Sequence, residues 1–249
     1  MTTTLELEQK NEVAILQLSN GATNAISPLL VEECLSLIGQ VRENVRAVIL
    51  CGNSKFFSIG LSLPDLLPLE RKAMEDFWHS FNTLVFTLYT LPMPVISAIG
   101  GHAVAGGTIL SLATDLRLAA AGKAKMGLNE ISLGIPVPLL ADMLLKQVVG
   151  QRQAMQMMYS GGLMGVDAAH AIGLVDEVHP QDKLFDAAVE KAAQMAEHSA
   201  PAFQRIKMGY IEEVVERFRQ KQEAYDAAFL DIWFSQPIQE KLKEAAKNF

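Results

Sequence analysis

An α/β fold with a largely parallel sheet and a C-terminal helical region is predicted by three features of this 249-residue chain. Short apolar runs alternate with stretches of helical periodicity, the order that crossover connections and parallel pairing require. Half of the residues are hydrophobic, enough for one large core plus an appendage but not for a second full domain. From Asp182 onward the pattern is helical only, with breaks at Ser199-Ala200-Pro201 and Ser235-Gln236-Pro237. The chain therefore divides into a core, residues 1–198, and a helical region, residues 199–249.

The elements follow in order. Leu5-Glu6-Leu7-Glu8 and Val13-Ala14-Ile15-Leu16-Gln17-Leu18 flank Lys10-Asn11-Glu12, which predicts an opening hairpin. Ser27-Pro28 is a helix start, with the serine capping and proline at the first helical position. Leu29, Leu30, Cys34, Leu37, Ile38 and Val41 then recur at helical spacing. Residues 46–51 read as a buried strand closed by Gly52-Asn53, residues 70–90 as a helix and residues 94–99 as an apolar strand. A short helix over 108–114 leads into a strand over 116–120. Helices over 139–149, 151–159 and 167–172 precede a last strand, Leu174-Val175-Asp176-Glu177-Val178.

Composition excludes several function classes. The net charge of −7 leaves no basic stripe for a phosphate backbone, so nucleic acid is not expected as a partner. Apolar runs such as 91–99 are short and broken by Pro92 and Pro94, so no membrane span is expected. Cys34 and Cys51 form no CxxC pair and fit a reducing compartment. Neither Met1-Thr2-Thr3-Thr4-Leu5-Glu6 nor Lys247-Asn248-Phe249 reads as a targeting signal, so the expected location is cytoplasmic. The five histidines, His79, His102, His170, His179 and His198, lack ligand spacing, and no metal site is expected. His102 alone stands in a suggestive turn, where a histidine bonded to a carbonyl is the plainer reading.

Three stretches carry chemistry. Gly100-Gly101-His102-Ala103-Val104-Ala105-Gly106-Gly107 lies between a strand and a helix, so its later N–H groups can face a negatively charged oxygen. It lacks the Lys-Ser or Lys-Thr of a phosphate loop and the spacing of a dinucleotide fingerprint. Taken alone, its glycines serve equally well to permit a tight turn. Phe56-Phe57-Ser58-Ile59-Gly60-Leu61-Ser62-Leu63-Pro64-Asp65 is a second strand-exit turn able to present another N–H. Neither Ser58 nor Ser62 has the glycine pattern of a nucleophile elbow. Glu130 sits in an apolar loop with Met126, Leu128, Ile131, Leu133 and Ile135, where a carboxylate resists ionising and becomes a useful proton acceptor near neutral pH. A glutamate by itself is far more often a solvated surface residue, so it gains weight only from the two turns. Asn129 beside it either bonds the carboxylate or the substrate, or simply makes an Asn turn.

Together these motifs resemble the crotonase (enoyl-CoA hydratase/isomerase) superfamily over nearly the whole chain. The resemblance rests on Phe57-Ser58-Ile59-Gly60-Leu61, on the run from Pro94 to Gly107 and on Ala171-Ile172-Gly173-Leu174-Val175-Asp176, which appear in family order. Gly127-Leu128-Asn129-Glu130, followed by Leu133-Gly134-Ile135, is most similar to the Δ3,Δ2-enoyl-CoA isomerase branch. Hydratases of the family carry one glutamate just after the glycine turn and another in the later loop. Here the first place is Ile109 and the second is Glu130. The resemblance implies a spiral of ββα units with a C-terminal helical region used in trimer contacts, as a homotrimer or dimer of trimers. It implies an acyl-CoA thioester substrate, with coenzyme A present as part of that substrate and no other cofactor. It implies that the N–H groups of Leu61 and Gly106 form an oxyanion hole and that Glu130 is the sole acid/base. Ser58, Gly60, Leu63, Gly107, Ile109 and Asn129 are expected around the substrate. The family pattern departs at Ser62, where many members have Asp, and at Ala105, which replaces a common glycine. The expected reaction is isomerisation of 3-enoyl-CoA to 2-trans-enoyl-CoA. The alternatives are hydration or decarboxylation through the same enolate, or a non-catalytic acyl-CoA-binding subunit.

Overall fold

In the computed structural model, which describes residues 3–247, the opening hairpin pairs β1 (Leu5–Lys10) with β2 (Val13–Leu18) antiparallel. The end residues read for targeting signals, Met1, Thr2, Asn248 and Phe249, lie outside the described range. Helix α1 (Pro28–Val41) starts as its sequence predicts, the Ser27 hydroxyl accepting from the Leu30 N–H. Then come β3 (Ala47–Cys51), β4 (Phe56–Ser58), α2 (Leu63–Leu66), α3 (Arg71–Thr90), β5 (Val95–Ile99) and β6 (His102–Val104). They are followed by α4 (Gly106–Leu112), β7 (Leu116–Ala120), β8 (Lys125–Gly127), α5 (Glu130–Leu133) and α6 (Leu139–Ser160). The chain ends with β9 (Met164–Gly165), α7 (Val166–Ala171), β10 (Glu177–His179), α8 (Leu184–Ala196), α9 (Ala200–Trp233) and α10 (Gln236–Ala246).

The strands form two sheets. The larger has the order β1-β2-β3-β5-β7-β10 and is parallel from β2 onward. Strands β3 and β5 are buried at every position, which is why they read as apolar runs, with Ser97 of β5 the one polar residue and its hydroxyl bonded to that of Thr114. The smaller sheet, β4-β6-β8-β9, was not expected from the sequence. Its strands are three residues or shorter and include stretches read as turns.

Two other expectations are corrected. The last strand begins at Glu177, not Leu174. Gly173 adopts a left-handed φ of 78° at the end of α7, and the N–H groups of Leu174 and Val175 turn back to the Ala169 carbonyl, so neither is free to join the sheet. The short helix expected over 108–114 starts earlier, at Gly106, which places Gly106 in its first turn. The two helices read over 139–149 and 151–159 run as α6 with a break at Gly150 (φ 77°).

The C-terminal helices lie against their own chain. Phe229 of α9 stacks on Trp78 of α3 with centroids 3.5 Å apart and planes 5° from parallel, and Phe218 stacks on Phe86. Each ring buried this way contributes roughly 2–3 kcal/mol. Lys207 of α9 is buried and reaches the Asp115 carboxylate at 2.8 Å and the Met93 carbonyl at 3.3 Å. Asp115 also accepts the Val95 N–H, so this pair ties the long helix to the N-terminal ends of the neighbouring interior strands β5 and β7. Among the described residues, no helix is long and apolar enough to cross a membrane.

Candidate active site

The small sheet brings the two glycine turns together. In the first, Gly60 has a φ of 99°, and a Cβ there would come 3.1 Å from the Gly106 nitrogen and 3.0 Å from the Val104 carbonyl oxygen. In the second, a Cβ on Gly106 would come 3.5 Å from the Leu61 nitrogen and 2.8 Å from an Ile26 methyl. Only glycines let the two backbones approach this closely. The N–H groups of Leu61 and Gly106 have no acceptor among the described residues. Gly106 opens α4, whose buried first turn adds partial positive charge at the same point. Ala105 just before it is held at φ 48° and ψ −117°, a strained conformation for a residue with a side chain.

A frame of buried polar groups holds these turns. The Asn24 amide donates to the Phe56 and Phe57 carbonyls, and the Ser58 hydroxyl donates to the Asn24 carbonyl at 2.7 Å. Gly60 N–H in turn donates to the Ser58 hydroxyl. Ser58 is fully buried and its hydroxyl serves this frame rather than the cavity. Thr108 donates to the Ala103 carbonyl at 2.6 Å and accepts from the Gly127 N–H at 3.0 Å, so α4, β6 and β8 share one pin. That pin sets where the chain leaves β8 and hence where Glu130 lies. Ser62 caps no helix amide; its hydroxyl donates to Asp65 at 2.6 Å.

The turns open on a cavity of about 310 Å³. Leu61, Leu63, Gly106, Ile109, Asn129 and Glu130, all expected at the site, line it. Gly60 and Gly107 lie behind the wall with Ser58: a Cβ on Gly107 would meet the Ser58 carbonyl oxygen at 2.2 Å, so its role is close packing of α4 on β4. Trp78, Phe81 and Phe229 also line the cavity and were not anticipated as site residues. The spacing of Met74, Phe77, Trp78 and Phe81 signals a buried helix face, but not which rings stop at a cavity. Asn24 was missed too, although the turn-rich run Ser19-Asn20-Gly21-Ala22-Thr23-Asn24 marked a loop whose purpose the sequence left open.

Glu130 is 4 % exposed and opens α5. Burial pushes its carboxyl from 4.5 up to about 7, an effect partly offset by its own backbone N–H. One carboxyl oxygen, Oε2, and the neighbouring Asn129 Oδ1 are buried with no hydrogen-bond partner. Both residues line the cavity, so these two acceptors, which have no protein partner, are available to hydrogen-bond donors that enter it. Glu130 is the only ionisable side chain among the described residues lining the cavity. His102 lies outside it; its Nδ1 accepts the Lys125 N–H at 3.1 Å and its ring tilts against Phe56. The partner is an amide and not the expected carbonyl, which fixes the proton on the other ring nitrogen of the neutral form.

The arrangement places one carboxyl of near-neutral pKa and two backbone amides without acceptors among the described residues, that of Gly106 opening α4, on one apolar cavity. A Thermus thermophilus protein that bears the name enoyl-CoA hydratase is 34% identical over 206 residues, covering 80% of this chain and 79% of that protein. The mouse mitochondrial enoyl-CoA delta isomerase 1 is 34% identical over 190 residues, covering 74% of this chain and 65% of that protein. Among solved structures, human mitochondrial Δ3,Δ2-enoyl-CoA isomerase aligns with a TM-score of 0.94 at 25% identity, over 98% of this chain and 97% of that one. The family model for enoyl-CoA hydratase/isomerase matches residues 8–249, and with its two sheets, paired glycine turns and buried glutamate the chain belongs to that family of enzymes, the crotonase superfamily.

Proposed function

We propose that this protein isomerises 3-enoyl-CoA to 2-trans-enoyl-CoA. The observation that carries the reading is that Glu130 is the single ionisable side chain among the described residues lining the cavity, while Ile109, at the second-acid position, is apolar. Holding and splitting a water for hydration calls on two carboxylates, whereas moving a proton between two carbons of one substrate needs one base that reaches both.

The thioester oxygen accepts from the N–H groups of Leu61 and Gly106. The Glu130 carboxylate removes a proton from C2, and the electron pair of that C–H bond shifts into the thioester, leaving a dienolate whose negative oxygen faces the two amides. The now-protonated Glu130 delivers the proton to C4. The double bond ends between C2 and C3, and the carboxylate is restored. A pKa of about 7 suits both halves of this cycle, since the group takes and returns a proton with little bias near neutral pH. Losing one such amide donor typically costs about 2.7–4 kcal/mol of transition-state stabilisation, so the pair is the largest electrostatic contribution. Coenzyme A enters as part of the substrate, and the thioester itself is the electron sink. The two buried free cysteines support a reducing, cytoplasmic setting.

The test compares turnover of 3-enoyl-CoA with hydration of 2-enoyl-CoA by the same preparation. Isomerisation exceeding hydration supports the reading; hydration as the faster reaction overturns it. No turnover of either substrate, with acyl-CoA still bound, would point instead to a binding subunit.

A further inference from the structure

The cavity has an open side and a closed end. Leu163 in its lining is 39 % exposed, whereas the rings of Trp78, Phe81 and Phe229, which pack on one another, are each 2 % exposed or less. The closed end presents no charged group, so it has nothing to offer a CoA phosphate and everything to offer a hydrocarbon tail. Beyond Trp78 the surroundings change abruptly. The same ring also borders a separate groove of about 650 Å³ between α3 and α9, lined by charged side chains that include Arg71, Glu75, Arg219 and Glu223. One indole thus separates an apolar pocket from a solvated, charged groove.

That indole is fixed in place. Its face lies on Phe229 at 3.5 Å, and its Nε1–H donates to Asp226 Oδ1 at 2.9 Å. The Asn82 amide donates to the same carboxylate oxygen at 2.9 Å, which holds Asp226 as the anchor. A ring stacked on one side and hydrogen-bonded at its edge is a wall and not a swinging door.

We propose that Trp78 is the specificity-determining residue that ends the acyl pocket and sets the longest straight, unsubstituted acyl chain the enzyme accepts. The proposal rests on the acyl-CoA reading of the cavity, with the tail pointing away from the open side. It does not depend on which reaction Glu130 performs.

The experiment measures binding of saturated acyl-CoAs of graded chain length by calorimetry, so that no turnover is involved. In the wild type, affinity rises roughly fourfold per added methylene while the tail has apolar room, then stops rising at one length. Trp78→Phe, which shortens the wall but keeps a ring against Phe229, moves that break to a longer chain. Trp78→Ala, which joins the pocket to the groove, moves it further. The kcat/KM ratio of long to short 3-enoyl-CoA shifts in the same order. A break that stays put or moves to shorter chains in the Phe variant, with a native circular-dichroism spectrum, overturns the proposal, as does a wild type without any break. Should the Ala variant fail to fold, the Phe variant decides alone. Absence of 3-enoyl-CoA turnover in the wild type with the length break intact would overturn the isomerase reading and leave Trp78 as the end wall of the pocket.

Discussion

Replacing Glu130 by glutamine separates stability from catalysis at one position. Holding a carboxyl at about 7 instead of 4.5 corresponds to about 3.4 kcal/mol of pH-dependent folding free energy. The sign follows from which state keeps the proton. The folded chain binds it more tightly than the unfolded chain, so this contribution is fully present below the unfolded value of 4.5 and is lost as pH rises through about 7. Between about pH 5 and about pH 8.5 the wild type should lose roughly 2.5 kcal/mol from this group alone. Glutamine stays neutral throughout, so Glu130→Gln should lack that loss. Urea unfolding of both proteins at the two pH values measures it, and taking the difference of differences removes any fixed cost of the new amide. In the same variant isomerase turnover should fall by at least about 10²-fold, the loss expected when the acid–base group is removed. In the wild type kcat/KM should rise with pH through about 7, as the carboxylate forms. Parallel stability profiles in the two proteins, or near-normal turnover by the glutamine variant, would refute the assignment.

Four further outcomes are expected. Ile109→Glu places a second acid on the cavity wall and should raise hydration relative to isomerisation; an unchanged ratio in a folded variant would end the acid-counting argument. Ala105→Gly should raise stability by about 1 kcal/mol, because glycine tolerates the backbone angles that strain alanine there, and a lower urea midpoint would contradict it. Lys207→Met strands the partly buried Asp115 carboxylate and should cost about 3 kcal/mol of unfolding free energy, with a loss under 1 kcal/mol, about the size of a surface pair, counting against the latch. Exposed Ile206, Tyr210 and Tyr159, at 73 %, 69 % and 72 %, lead us to expect a homotrimer or a dimer of trimers, so light scattering that returned a monomer near 27.2 kDa would refute association.

How far the sequence carried depended on whether a feature is local. Strands β2, β3, β5 and β7 announced themselves because near-complete burial forces apolar runs with at most one polar member, Gln17 in β2, Ser97 in β5 and Arg117 in β7, and α1 because a serine and a proline mark its first turn. Strands β4, β6, β8 and β9 span too few residues to show any period, and only their partners make them strands. Leu174 and Val175 look like strand residues by type, yet the left-handed Gly173 before them commits their amides to α7. The site divides the same way. Glu130, Leu61 and Gly106 stand in short motifs whose chemistry is written in consecutive residues. Asn24 acts on carbonyls 32 and 33 residues away, and Trp78 is anchored by a carboxylate 148 residues away. Neither link leaves a trace in local spacing.

The distant links have a physical purpose that the motifs alone would miss. Burial raises the Glu130 pKa to about 7, and rings on α3 and α9 line the cavity beside it together with residues of its own loop. Trp78, Phe81, Ile109 and Phe229 therefore do two things at once. On the proposed function they shape the room for an acyl tail, and by excluding water they favour the neutral carboxyl. On this view α9 belongs to the catalytic unit as well as to any assembly surface. The Lys207–Asp115 pair and the Trp78–Asp226 bond fasten that helix to the core at two places, and so hold Phe229 against Trp78 at the cavity.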